Sequence, residues 1–297
     1  MIIGGSKQKV IENIRQALKT QEYNKKVEEG DAVMSAEEEM KLIERFYKLR
    51  KAKTFRLKRA AMEKLEKAQI KVYNKLITVE GVENLPANGR FIVTSNHFNP
   101  LDNLCIKKLI RTVYRDEPYI VIQATNLAAE GMIGDLFNYL KHIPICKSAN
   151  YIRGEFMKKT GEILNAGHPV LIYPEEEMWF NYRKPRPNKR GAFYIAAELD
   201  VPIVPCFVKI IDTTRPDNEE FFESKYELHV LPSIYPDETK SVRQNSIEMC
   251  ERDYELKKEA YERAYNKKLS YTFEEGDIAN WRGNKQQLKA NLRASGK

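Results

Sequence analysis

The chain has 297 residues, of which 42% are hydrophobic and 10% aromatic, so it can bury a core and is not disordered throughout. A formal net charge of +8 favours an anionic partner, which leaves a phospholipid surface, a phosphorylated substrate, an acidic carrier protein or nucleic acid. The four cysteines form no C-x-x-C pair and no zinc-type cluster, so we expect free thiols, a reducing compartment and no metal.

The N-terminal part of the chain, residues 1–75, is charged and predicted to be helical. Its run from Lys41 to Arg59 carries nine basic residues and one Glu, with apolar side chains near one helical face. We favour a helix that packs this apolar stripe on the core, and a basic amphipathic helix on an anionic membrane stays open. There is no secretory signal and no window of about eighteen apolar residues, so we expect a cytoplasmic protein, peripheral on the inner face of the cell membrane.

Beyond residue 76 the pattern alternates. Short apolar runs typical of strands ("LITVEGV", "FIVTS", "YIVIQAT", "VLIYP", "VPIVPCFVKI" and "YELHVL") are separated by helical patterns at 101–114, 130–140, 149–166 and 190–199. This alternation predicts an α/β domain over residues 76–237, with a central, largely parallel or mixed sheet flanked by helices. Residues 238–297 predict a helical C-terminal extension with a weakly structured end.

The stretch "FIVTSNHFNPLDNL" places His97 directly after a strand and Asp102 five residues later. A His at the carboxyl end of a strand can take a proton from a hydroxyl, and a carboxylate bound to its ring N–H would fix the tautomer. The same letters also fit a helix start, with Asn99 as the N-cap, Pro100 in the first helical position and Asp102 in the third. Spacing by itself does not separate the two interpretations.

Other catalytic motifs are missing from the sequence. No G-x-S-x-G element occurs and no Cys has an activating setting, which favours direct transfer with His97 activating the acceptor hydroxyl. Neither a G-x-x-x-x-G-K-[ST] loop nor a G-x-G-x-x-G fingerprint occurs, which argues against a kinase or a dinucleotide enzyme.

Four blocks in order resemble the glycerolipid acyltransferases, the family of bacterial 1-acylglycerol-3-phosphate acyltransferases. The hallmark N-H-x-x-x-x-D corresponds to "NHFNPLD", and the second block, "GDLFNYLKHIPICKS", resembles the segment that normally ends in a phosphate-binding Arg. "GHPVLIYPEEEMW" resembles the block usually written F-P-E-G-T-R, and "KRGAFYIAAELDVPIVPCFV" resembles the closing block. The blocks together are far more specific than H-x-x-x-x-D alone.

The resemblance implies a mechanism. His97 would act as general base on a free hydroxyl, Asp102 would orient it, and the acceptor would attack an acyl thioester of CoA or acyl carrier protein, with no cofactor. It also implies substrate-binding roles for Asn96, Lys147 and Glu175.

Two departures affect acceptor recognition. Lys147 stands where the second block normally has Arg, and Glu176, Glu177 and Met178 stand where Gly, Thr and Arg are expected. Successive acids would repel a phosphomonoester. The following segment could supply the missing cation from Arg183, Lys184 or Arg186, or the acceptor is a lysophospholipid with a shielded phosphate or a glycolipid.

Two alternatives from other classes stay open. A lipid- or acyl-carrier-binding protein of the same fold that has lost catalysis is suggested by the altered third block. A nucleic-acid-binding protein is suggested only by the charge, and no recognisable reading module supports it, so we expect no nucleic-acid partner.

Overall fold

The computed structural model describes residues 6–28 and 34–283; most of the predicted weakly structured end lies outside them. Seven strands form one sheet in the order β1-β7-β6-β2-β5-β3-β4. The strands are β1 (Ile77–Glu80), β2 (Ile92–Thr94), β3 (Tyr119–Gln123), β4 (His142–Ile145), β5 (Val170–Ile172), β6 (Ile203–Ile211) and β7 (Lys225–Val230).

The sheet is mixed, as predicted. Strands β6, β2, β5, β3 and β4 run parallel to one another, whereas β7 is antiparallel to β6, and β1 pairs parallel with β7. The α/β fold is therefore confirmed. The sequence pattern did not predict β4, a four-residue run "HIPI" at the edge of the sheet. Its Pro144 is tolerated there because an edge strand leaves backbone groups unpaired on one side.

Helices cover both faces of the sheet. They are α1 (Gln8–Lys19), α2 (Ala36–Arg50), α3 (Phe55–Tyr73), α4 (Asn103–Tyr114), α5 (Gly131–Tyr139), α6 (Ala149–Tyr151), α7 (Met157–Asn165), α8 (Gly191–Glu198) and α9 (Val242–Tyr265), with a π-helical turn at Ile152–Phe156 between α6 and α7. Neighbouring strand residues point to opposite cores, since Val93 packs with α4 while Ile92 packs with α8. Burial on both faces explains why the central strands are apolar at nearly every position.

The expectation of one helix over Lys41–Arg59 is wrong, because α2 ends at Arg50 and α3 begins at Phe55 after a turn. Phe46 and Phe55 are both buried and flank the turn. The Arg50 guanidinium lies 4.0 Å from the Phe46 ring centre and 5.3 Å from that of Phe55. A single straight helix could not bring both aromatic rings to this one cation.

The two ends of the described chain pack against the segment that follows β5. Helix α1 contributes Ile11 and Ile14 to a cluster with Trp179 and Phe180, and Ile278 joins it from the C-terminal side. Trp179 is fully buried, so it is a core residue. The division of the chain at residues 75 and 237 stays a prediction.

Candidate active site

His97 and Asp102 meet at the carboxyl end of β2. The His97 Nδ1 lies 2.8 Å from Oδ2 of Asp102. The His97 side chain is 21% exposed and that of Asp102 only 2%, so the ring can reach a substrate and the carboxylate cannot. Because Asp102 accepts at Nδ1, Nε2 carries the lone pair of a neutral ring, and no described residue hydrogen-bonds to it.

The predicted helix start is displaced by several residues. Helix α4 begins at Asn103, and Asn99 instead forms a turn in which its side-chain oxygen accepts from the Leu101 N–H at 3.0 Å. Oδ2 of Asp102 accepts from the N–H groups of Phe98 at 2.9 Å and Asn99 at 3.2 Å. The carboxylate thus stabilises the turn that returns it to His97, rather than the first turn of a helix.

Tyr173 completes the surroundings of the pair. Its hydroxyl donates to Oδ1 of Asp102 at 2.6 Å, and its ring stacks on His97 with centres 4.0 Å apart and an angle of 18° between planes. Burial, and then the charge of Asp102, raise the pKa of the Tyr173 hydroxyl well above its usual range. Sequence analysis gave Tyr173 no role, although it stands where the third block usually has Phe.

Glu175 holds the backbone rather than facing solvent. Its Oε2 accepts from the N–H of His97 at 3.1 Å, and the same carboxylate pairs with Arg186 at 2.8 Å. Both side chains are almost completely buried. The Arg186 guanidinium also donates to the carbonyls of His97 and Tyr23. This ion pair therefore fixes the segment that carries His97.

Asn96 also has structural partners. Its amide donates to the Val208 carbonyl at 3.1 Å and its oxygen accepts from the Val208 N–H at 2.8 Å. The side chain thus links the chain to β6 at a position two residues beyond the end of β2. Both polar atoms of the Asn96 side chain are therefore hydrogen-bonded to the Val208 backbone rather than directed at a substrate.

The predicted substrate-binding cations have protein partners. Arg183 pairs with Asp212 at 2.6 Å and Lys184 with Asp277 at 2.7 Å, and both are buried. Lys147 is exposed but lies 3.3 Å from the buried carboxylate of Glu39. Of the four predicted cations, only Arg186 contacts His97, and it does so through a backbone carbonyl.

The cysteines near the pair are poor nucleophiles. Cys105 lies on the first turn of α4 and is buried, which, together with the nearby Asp102 charge, raises the pKa of its thiol well above the usual range. Burial raises the pKa of Cys206 to about 12. Both remain thiols at neutral pH, so neither provides a thiolate nucleophile beside the pair.

One group in the described part of the chain brings metal-type donors together, on β1 and β7. Glu80 lies 3.5 Å from Nδ1 of His229 and Glu227 lies 2.9 Å from Nε2. The carboxylates face different ring nitrogens, and Lys209 lies 3.3 Å from Glu227. This arrangement is that of mutual ion pairing, and we assign no metal chemistry to it.

The fold and the pair define an α/β protein with a hydrogen-bonded His–Asp pair after a parallel strand, at the edge of the sheet where ligand sites of such folds lie. Comparison with known proteins gives three matches. Residues 76–209 match the family model described as Acyltransferase. A 140-residue segment, 46% of the chain, is 29% identical to the chloroplastic 1-acyl-sn-glycerol-3-phosphate acyltransferase BAT2 of Brassica napus and covers 39% of that protein.

The chain thus spans about two fifths of the length of this curated relative. The crystal structure of the 1-acyl-sn-glycerophosphate (LPA) acyltransferase PlsC from Thermotoga maritima is similar over 77% of this chain and 89% of that chain, with a TM-score of 0.49 and 20% identity. Residues 76–209 are thus similar to the acyltransferase family, and the matched segment resembles a 1-acyl-sn-glycerol-3-phosphate acyltransferase.

Proposed function

We propose that the protein transfers a fatty acyl group from acyl-CoA or acyl carrier protein to a free hydroxyl of a lysophospholipid or related glycerolipid. The hydrogen bond of 2.8 Å between His97 and Asp102 carries this proposal, supported by the match of residues 76–209 to the Acyltransferase family model. Nε2 of His97 would remove the hydroxyl proton while the oxygen attacks the thioester carbonyl. The C–S bond then breaks, and the leaving thiolate recovers the proton from the imidazolium, which Asp102 stabilises.

The ion pairs of the buried cations affect which acceptor headgroup the protein can bind. Lys184 and Arg186 pair with buried carboxylates, and the buried Arg183 pairs with the exposed carboxylate of Asp212. A free phosphomonoester needs positive charge that is not already neutralised. We therefore favour an acceptor whose phosphate is shielded, as in a lysophospholipid with a headgroup, or a glycolipid, over lysophosphatidic acid.

The exposed face of α3 supports a peripheral position on an anionic membrane. Its exposed side chains include five cations and no acid, and Leu57 among them is 78% exposed. The cations are Arg56, Lys58, Lys64, Lys67 and Lys71. Beside the turn into α3, a cavity of about 550 Å³ is lined mainly by further Lys and Arg side chains. Within the described residues no helix is long and apolar enough to cross a bilayer.

Acylation assays with radiolabelled acyl-CoA and acyl carrier protein, over a panel of lysolipids, test the proposed reaction. We expect His97→Ala and Asp102→Asn to lose on the order of 10² to 10⁴ in rate. His168→Ala is the matched control, because His168 also pairs with an aspartate, Asp116, away from the site. Acylation that survives in His97→Ala would overturn the mechanism. Lipid or carrier binding without any acylation by the wild type would favour a binding protein of the same fold.

A further inference from the structure

A third residue, Tyr173, binds the His97–Asp102 pair through its hydroxyl group. The second carboxylate oxygen of Asp102 does not face His97; it accepts the Tyr173 hydroxyl at 2.6 Å. The block that "YPEEEMW" resembles is usually written with Phe at this position. Replacing Tyr173 by Phe therefore removes one hydrogen-bond donor and keeps the ring that stacks on His97.

We propose that Tyr173 is a positioning residue whose hydroxyl draws negative charge of Asp102 away from His97 and so lowers the pH at which the base becomes active. This inference rests on the proposed acyl transfer. A carboxylate stabilises an imidazolium most strongly when its charge is not shared with other donors. Oδ2 of Asp102 already accepts hydrogen bonds from two backbone N–H groups and from the ring of His97. The Tyr173 hydroxyl donates to Oδ1, and this bond further weakens the stabilisation that Asp102 gives to protonated His97.

Tyr173 remains a donor throughout the working pH range. Burial, followed by the proximity of Asp102, raises the pKa of its hydroxyl well above the usual range, so the O–H does not ionise. The ring stack contributes a second constraint, because it keeps the imidazole plane in the orientation that Asp102 requires. The hydroxyl and the ring can be separated by substitution.

Other groups around the pair keep constant charge. Buried Cys105, Cys206 and Tyr226 approach it from α4, β6 and β7, and burial raises the pKa of each, so all three stay neutral. Glu175 and Arg186 approach His97 only through its backbone and form an ion pair with each other at 2.8 Å. A change in the pH profile on loss of the Tyr173 hydroxyl therefore reports on Asp102 and His97.

The test is the pH dependence of kcat/KM for Tyr173→Phe, with the acceptor that the wild type uses best. We expect the acid limb to move up by about 0.5 to 1 pH unit, with the acceptor KM unchanged, because only part of the effect of a hydrogen bond to the charged Asp102 reaches His97. Tyr151→Phe is the matched control: Tyr151 is buried, and its hydroxyl donates to the Pro144 carbonyl at 2.9 Å. Its profile should coincide with that of the wild type.

A second measurement needs no turnover. Diethylpyrocarbonate modifies only the unprotonated imidazole, and peptide mass spectrometry follows its addition to His97 as a function of pH. The same upward displacement is expected for Tyr173→Phe. Superimposable profiles for Tyr173→Phe and the wild type would overturn the role of the hydroxyl while leaving the proposed function intact. Undiminished activity of His97→Ala would instead overturn the proposed function.

Discussion

The carboxylate of Glu175 accepts the backbone N–H of His97 at 3.1 Å while pairing with the buried guanidinium of Arg186. Glu175 follows β5 and His97 follows β2, and these two strands are neighbours in the sheet. Glu175, which we expected to bind substrate, instead holds the backbone of His97 in place. The third block thus contributes to the site by fixing the position of His97.

Breaking this ion pair should destabilise the protein strongly. Glu175→Gln leaves Arg186 buried without an opposite charge, which costs about 3 to 5 kcal/mol in the free energy of unfolding. Urea denaturation measures the loss. The double variant Glu175→Gln with Arg186→Met should recover part of it, because the uncompensated charge is then gone. A loss below about 0.5 kcal/mol in Glu175→Gln would show that the pair is not buried as described.

The next residue, Glu176, adopts a backbone conformation that suits glycine. Its φ of 62° lies in the left-handed region, at the position where the related block has Gly. Non-glycine residues there lose on the order of 1 kcal/mol. We expect Glu176→Gly to be as stable as the wild type or up to about 1 kcal/mol more stable, because the relief of strain is partly offset by the greater freedom of glycine in the unfolded chain. Glu176→Ala removes the charge and keeps the strain, so a gain equal to that of Glu176→Gly would assign the effect to charge.

A second buried ion pair connects the C-terminal helix to the site. Asp253 on α9 accepts from Lys257 at 2.8 Å, from Asn188 at 2.7 Å and from the hydroxyl of Thr94, the last residue of β2. Lys257→Met should cost about 3 to 5 kcal/mol in thermal or urea unfolding. Lys258→Met, on the exposed face of the same helix, should change stability by less than about 0.5 kcal/mol. Equal effects of the two substitutions would contradict the assignment.

His142 should make stability depend on pH. Burial, aided by the charges of Lys107 and Arg50, lowers the pKa of His142 to about 3, whereas an unfolded His titrates near 6.5. Below about pH 6.5 the unfolded chain binds a proton that the folded protein does not, so stability falls by about 1.4 kcal/mol per pH unit until about pH 3. His142→Asn retains an N–H donor and does not titrate. Between pH 7.5 and 5 its unfolding free energy should fall about 2 kcal/mol less than that of the wild type, and parallel curves would refute this.

Membrane association through α3 should depend on charge. Replacing Lys64 and Lys67 by Gln should weaken binding to anionic phospholipid vesicles by about 30-fold, since each surface-proximal cation contributes about 1 kcal/mol. Flotation at low and high salt measures this, with neutral vesicles and Lys258→Gln on α9 as controls. Equal loss from both variants, or binding unaffected by salt, would exclude α3 as the contact.

The alternation of apolar runs and helical patterns predicted six of the seven strands, because strands buried on both faces must be apolar along their length. It missed β4, since four residues containing proline give little periodic signal. It also predicted one helix over Lys41–Arg59, because composition does not reveal the turn after which Phe55, like Phe46, packs on Arg50.

At the site, the sequence by itself determined the pair that we propose as general base and carboxylate. His97 and Asp102 are five residues apart, and one turn after a strand suffices to bring them together. Only the tertiary structure decided what the charged residues of the third block and of the segment after it do. Glu175, Arg183, Lys184 and Arg186 find their partners on other elements. A charged side chain either pairs within the protein or remains free to bind a ligand. Which of the two occurs depends on distances between segments that lie apart in the chain, and local spacing does not encode those distances.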